Sequence, residues 1–263
     1  MERIPSVFNR LRRQHRTALI PFIMGGDPDL ETTGALLLAL QDAGADLLEV
    51  GIPFSDPLAD GPTIQAASVR ALRRGATPAG VLEAIGAVHH RLSVPVVCLS
   101  YWNPVLQFGL EAFVRRAAQR GVSGLIVPDL PVEEGGPLRQ AARRAGIAAI
   151  FLVAPTSPPE RLRAIARASQ GFIYYVSVTG TTGARRRLPP ALLHGVRQVK
   201  RLTTTPVCVG FGISTPAQVA RVARVADGVI VGSALIRAME GARTRSKTLA
   251  RAARVLRWLR RGC

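Results

Sequence analysis

ALIPFIMGGDPDLETTGALLLALQDAGADLLEVG, residues 18–51, opens and closes on short apolar runs with an amphipathic stretch between them. The runs Ala18–Met24 and Asp46–Gly51 have no polar alternation, as expected of strands covered on both faces. The stretch 29–44 has Asp29 as N-cap, leucines at helical spacing, and Gly44 where a helix stops. A strand, a helix and a second buried strand form one parallel βαβ unit.

The same unit recurs along the chain. Further strands are predicted at Pro95–Leu99, Gly124–Pro128, Ala148–Val153, Phe172–Val178, Pro206–Gly210 and Gly228–Gly232. Helical patterns lie near 62–74, 77–92, 110–121, 134–146, 158–169, 190–201, 214–225 and 234–260, and one more is expected before the first strand. Thr77, Ser157 and Ser214 are expected N-caps, and Pro78, Pro158 and Pro216 fall near first turns. Eight strand–helix units in 263 residues predict a single α/β domain, residues 1–263, folded as a (β/α)8 TIM barrel with an extra N-terminal helix.

Composition narrows the class. Hydrophobic residues are 48% of the chain and aromatics 5%, so the core is aliphatic. No run of about 18 uncharged apolar residues predicts a membrane span, and Met1–Pro5 lacks the pattern of a signal peptide. A cytoplasmic protein is expected. Cys98, Cys208 and Cys263 are far apart and without CxxC spacing, which predicts buried thiols rather than disulfides or a zinc site. The net charge of +18 lies wholly after residue 160, where 20 basic side chains meet only Asp227 and Glu240. No aromatic-interleaved motif accompanies it, so solvated helix faces are expected rather than a nucleic-acid surface.

In a barrel, chemistry is sought at the C-terminal ends of the strands. Glu49 stands there in the otherwise apolar run Leu47–Gly51, where an ionised carboxylate is costly unless partnered or neutral. Next comes a long loop stiffened by Pro53, Pro57 and Pro62 and carrying Asp60 just before a helix start. Asp60 alone reads evenly as a functional carboxylate or as an N-cap or turn residue.

LEVGIPFSDPLADGPTIQ, residues 48–65, resembles the signature of the tryptophan synthase alpha chain family. The resemblance continues in PFIMGGDP (21–28), VPDLPVEE (127–134), TGTTGAR (179–185), GFGIS (210–214) and GSA (232–234), and covers roughly residues 1–240. It implies retro-aldol cleavage of indole-3-glycerol phosphate to indole and glyceraldehyde 3-phosphate, with Glu49 as acid and base and Asp60 as the partner of the indole N–H. It further implies an indole pocket with Phe22, Leu99 and Tyr174, and a phosphate site with Gly183, Gly212, Gly232 and Ser233. Thr182 matches a threonine on a lid, here Thr179–Leu188, in which Thr181 and Arg185-Arg186-Arg187 depart from the family pattern. No metal or organic cofactor is implied. The implied partner is a tryptophan synthase beta chain in an alpha2-beta2 heterotetramer, met by Pro53–Asp60, Tyr101–Pro104 and Pro128–Pro131.

Two alternatives stand beside this one: a stand-alone lyase with the same chemistry that releases free indole, and a non-catalytic scaffold for the beta subunit, against which intact Glu49 and Asp60 argue. None of His15, His89, His90 and His194 is placed for catalysis. In the basic segment 243–261, Leu249, Ala252, Leu256 and Leu259 share one face, which predicts a last helix closing the barrel.

Overall fold

In a computed structural model the described residues are 3–176, 190–210 and 212–263. Thr182, Gly183 and the segment Thr179–Leu188 lie outside them. Nine parallel strands are described: β1 (Ala18–Met24), β2 (Leu48–Gly51), β3 (Val96–Leu99), β4 (Val122–Ile126), β5 (Ala148–Ile150), β6 (Leu152–Val153), β7 (Ile173–Val176), β8 (Val207–Gly210) and β9 (Gly228–Val231). Their order is β5-β4-β3-β2-β1-β9-β8-β7-β6. The two ends of that order, β5 and β6, flank Phe151 and are halves of the expected fifth strand, so the ring is the predicted (β/α)8 barrel. Every β1 residue is buried, as are all four of β2, β3, β8 and β9. That explains why their sequences carry no polar alternation.

The extra helix is Arg3–Arg13, which buries Ile4, Val7, Phe8 and Leu11. Phe8 meets Phe172, just before β7, with ring centroids 6.1 Å apart, so the helix closes the N-terminal end of the barrel. Each of those four side chains contributes about 2 kcal/mol by leaving water. At the same end Asp46, 6% exposed, accepts the Leu19 N–H at 2.9 Å and the guanidinium of Arg260. Arg16 stands 3.8 Å away. One carboxylate thus ties β1, the start of β2 and the last helix.

Several boundaries differ from expectation. The stretch 234–260 is two helices, Ser233–Met239 and Arg245–Arg260. Gly241 turns the chain with φ 69°, and the Thr244 side chain caps the second helix by accepting the Lys247 N–H. That second helix buries Ala252, Leu256 and Leu259 as its periodicity predicted. Its arginines are not all solvated, since Arg260 is largely covered where it pairs with Asp46, whereas the Arg245 pair with Glu31 is exposed. Trp102–Phe108 is a short helix that the sequence reading left out. Thr215 rather than Ser214 caps Pro216–Ala223, and Pro158 rather than Ser157 precedes Pro159–Ala168. Cys98 and Cys208 are buried free thiols, whereas Cys263 is exposed. No helix among the described residues is long and apolar enough to cross a membrane.

Candidate active site

Parallel pairing sets Glu49 of β2 level with Phe22 of β1 and Val97 of β3. Side chains level with one another in paired strands share a face, so Glu49 stands inside the barrel beside the Phe22 ring. A Cβ on Gly51, one inward position further on, would meet Phe22 Cζ at 2.7 Å. The glycine therefore leaves the ring its space above the carboxylate. Glu49 is fully buried, and among the described residues neither carboxylate oxygen has a hydrogen-bond partner. Loss of water first, and the nearby Asp60 carboxylate second, push its pKa to about 8. At neutral pH Glu49 is mostly the protonated acid, which is how the fold tolerates it in an apolar run.

Asp60 comes from the loop after β2, immediately before the helix Pro62–Arg73. Gly61 is the N-cap of that helix, so Asp60 does not serve as the cap. Gln65 Nε2 donates to the Asp60 carbonyl at 3.0 Å and turns the residue back over the strand ends. Asp60 is 5% exposed, and burial raises its carboxyl to about 6 although the Tyr101 hydroxyl donates to it. Both groups sit near neutrality, with Asp60 the stronger acid. That order suits an ionised carboxylate next to a carboxylic acid.

One cavity at the C-terminal end of the strands gathers the pair. Its lining comprises Phe22, Glu49, Asp60, Ile64, Leu99, Tyr174, Gly212, Ile213, Ile230, Gly232 and Ser233, around about 420 Å³ of empty space including the mouth. All eight predicted site residues that lie among the described ones are brought together there. Thr182 and Gly183 fall outside them. Ile64, Ile213 and Ile230 were missed, because an isoleucine in an apolar run carries no sign that it faces a cavity rather than the core. Tyr101, read from sequence as a rim residue, is 2% exposed and reaches Asp60. The apolar wall suits a flat aromatic ring, and Gly212, Gly232 and Ser233 of the lining follow β8 and β9, with Gly232 against the Phe22 ring. Among the described residues no group of three or more His, Cys, Asp or Glu is placed to hold a metal ion. The histidines are absent from the cavity lining.

A parallel barrel with two buried carboxylates facing one apolar cavity defines a TIM-barrel acid–base enzyme. The tryptophan synthase alpha chain family model matches residues 8–260. A Gloeobacter violaceus tryptophan synthase alpha chain is 56% identical over 235 residues, 89% of this chain and 85% of that protein. One from Carboxydothermus hydrogenoformans is 52% identical over 240 residues, 91% of this chain and 90% of that protein. The solved alpha subunit from Legionella pneumophila superposes with a TM-score of 0.90 at 36% identity, covering 99% of this chain and 97% of the other. An M. tuberculosis tryptophan synthase gives 0.88 at 39% identity, covering 99% and 98%. The chain belongs to the tryptophan synthase alpha chain family.

Proposed function

We propose that the chain performs the alpha reaction of tryptophan synthase, the retro-aldol cleavage of indole-3-glycerol phosphate to indole and glyceraldehyde 3-phosphate. The observation that carries this reading is the Glu49 carboxyl, buried without a hydrogen-bond partner among the described residues and raised to about 8, facing the same cavity as Asp60. Protonated Glu49 gives its proton to indole C3, and the ring becomes an iminium-like cation. Asp60, ionised above about 6, accepts the indole N–H and stabilises that charge. The Glu49 carboxylate then takes the proton of the glycerol hydroxyl next to C3. The carbon–carbon electrons return to the ring, the hydroxyl carbon becomes the aldehyde, and Glu49 ends protonated as it began.

Phe22, Leu99 and Tyr174 hold the indole, with Ile64, Ile213 and Ile230 completing the apolar wall. Gly212, Gly232 and Ser233 receive the phosphate, where the first residues of a helix leave N–H donors without intrahelical acceptors. Gly183 and Thr182 are assigned to phosphate binding and site closure by family resemblance alone. Residues 1–263 act as one barrel domain.

The partner is a beta chain in an alpha2-beta2 assembly. Two exposed apolar side chains support this, Leu58 at 85% on the loop after β2 and Leu106 at 50% on the helix after β3. The assembly is placed in the cytoplasm, in keeping with the free thiols Cys98 and Cys208.

The test is indole release from indole-3-glycerol phosphate by the purified chain, with and without a cognate beta chain. Slow release that the beta chain accelerates is expected. Fast release that the beta chain leaves unchanged would make the chain a stand-alone lyase. No release in either case would leave it a scaffold.

A further inference from the structure

The loop that carries Asp60 is tied to the helix that follows it, Pro62–Arg73, by neighbouring side chains. Ser68 lies three residues after Gln65 and four after Ile64, so the three share one face of that helix. Ile64 lines the cavity. Gln65 Nε2 donates to the Asp60 carbonyl at 3.0 Å. Ser68 is 1% exposed, and its hydroxyl takes hold of Phe54 in both directions. It accepts the Phe54 N–H at 2.9 Å and donates to the Phe54 carbonyl at 2.8 Å. A helical serine commonly turns its hydroxyl back to its own preceding turn. This one is given instead to the loop.

Gln65 and Ser68 thus hold the two ends of a segment whose middle has little else to shape it. Ser55, Asp56, Leu58 and Ala59 are exposed, between half-buried Phe54 and buried Asp60. Within the segment, Leu58 N–H donates to the Asp56 carbonyl at 2.9 Å and Asp60 N–H to the Pro57 carbonyl at 3.0 Å. Among the described residues, the one hydrogen bond that the backbone of 55–59 makes outside the segment runs from Ala59 N–H to the Tyr101 hydroxyl, at 3.0 Å. The place of Asp60 is therefore set where the segment begins and where it ends.

We propose that Ser68 is a positioning residue for the cleavage, whose hydroxyl, by holding Phe54, fixes the start of the segment that sets Asp60 on the cavity. This rests on the reading of Asp60 given above. With Phe54 and Asp60 both tied to one helix, the carboxylate keeps its place beside Ile64 of the same helix. Without the Ser68 hydroxyl the segment is tied only at its far end, by Gln65 and Tyr101. A shift of about 1 Å in a group that meets the substrate is enough to cost a large factor in rate.

Ser68→Ala removes the hydroxyl and puts the strongest helix former in its place, so the helix itself is kept. With the cognate beta chain present, kcat is expected to fall about ten-fold. KM should change less than kcat, because Phe22, Leu99 and Tyr174 of the apolar wall and Gly212, Gly232 and Ser233 come from other segments. Amide hydrogen exchange should quicken across residues 54–60 and stay as in the parent across β2. Thr248→Val, which removes a buried hydroxyl from the last helix, is the control for lost stability alone, and thermal unfolding places both variants on one scale. A Ser68→Ala chain with the parent's kcat, a loss carried by KM instead, a loss matched by Thr248→Val, or exchange across 54–60 as slow as in the parent would overturn the inference. Asp60→Asn separates the two levels. If Asp60→Asn is inactive while Ser68→Ala is unchanged, only this inference fails. If Asp60→Asn retains full activity, the reading of Asp60 fails and this inference with it.

Discussion

Among the described residues Glu49 has no hydrogen-bond donor on either carboxylate oxygen, whereas Asp60, lining the same cavity, has the Tyr101 hydroxyl beside it. Burial lifts both carboxyls, that of Glu49 to about 8 with the Asp60 charge adding to it, and that of Asp60, which the Tyr101 hydroxyl draws down again, to about 6. Near neutrality one is an acid and the other an anion.

That separation makes the fold's stability depend on pH through Glu49. The side chain ionises at 4.5 in its ordinary state and at about 8 in the folded chain, so between these values the folded chain keeps a proton that the unfolded chain releases. The contribution of Glu49 to stability is full below 4.5 and is lost as pH rises through 8. Glu49→Gln removes the titration. The stability of the variant relative to the parent should improve by a few kcal/mol, of the order of 4, between pH 5 and pH 9. Denaturant unfolding at the two pH values measures it, and parallel curves would count against a buried acid.

Gly210, the last residue of β8, lies against Tyr174, and a Cβ there would overlap the Tyr174 hydroxyl. Gly210→Ala should displace Tyr174 within the cavity and lower kcat/KM about ten-fold, with a stability loss of about 1–3 kcal/mol. Steady-state kinetics and thermal unfolding check both numbers. An unaltered kcat/KM would mean that Tyr174 does not shape the substrate pocket.

Asp46 and Arg260 bind the last helix to the closed end of the barrel, far from the chemistry. Burial raises the Asp46 carboxyl despite the Leu19 N–H and Arg16. Removing the Arg260 guanidinium leaves this carboxylate with less compensation. Arg260→Ala should destabilise the chain by about 2 kcal/mol while leaving KM unchanged. A larger effect on KM than on the unfolding midpoint would contradict a purely structural role.

Leu58 tests the proposed docking rim. At 85% exposed it contributes little to the free chain, so Leu58→Asp should leave thermal unfolding within about 0.5 kcal/mol of the parent. It should weaken co-elution with a cognate beta chain and reduce the stimulation of indole release. Undiminished co-elution would move the interface elsewhere.

The barrel was legible because its strands are buried on both faces, which leaves apolar runs too regular to be anything else. Glu49 was legible for the converse reason, as a carboxylate in such a run. What escaped was whatever looks the same in two settings. Ile64, Ile213 and Ile230 face a cavity, yet have the composition of core. Tyr101 at a strand end looked like rim surface, and only the folded loop brings Ala59 and Asp60 to its hydroxyl. Tyr101–Pro104 reads from sequence only as a rim segment, but Pro104 falls in the first turn of a helix, where its missing N–H is not needed. The break in 234–260 did have a signal, Gly241, which helical periodicity on both sides obscured.

The most direct test is the pH dependence of indole release in single turnover, for the parent chain, Glu49→Gln and Asp60→Asn. Catalysis needs Glu49 protonated and Asp60 ionised, so the parent rate should be bell-shaped, with limbs near pH 6 and pH 8. Both variants should fall at least about a thousand-fold at the optimum, a loss of about 4 kcal/mol of transition-state stabilisation. A flat parent profile, or a variant that keeps the parent's rate, would contradict the assignment of the cleavage to this pair.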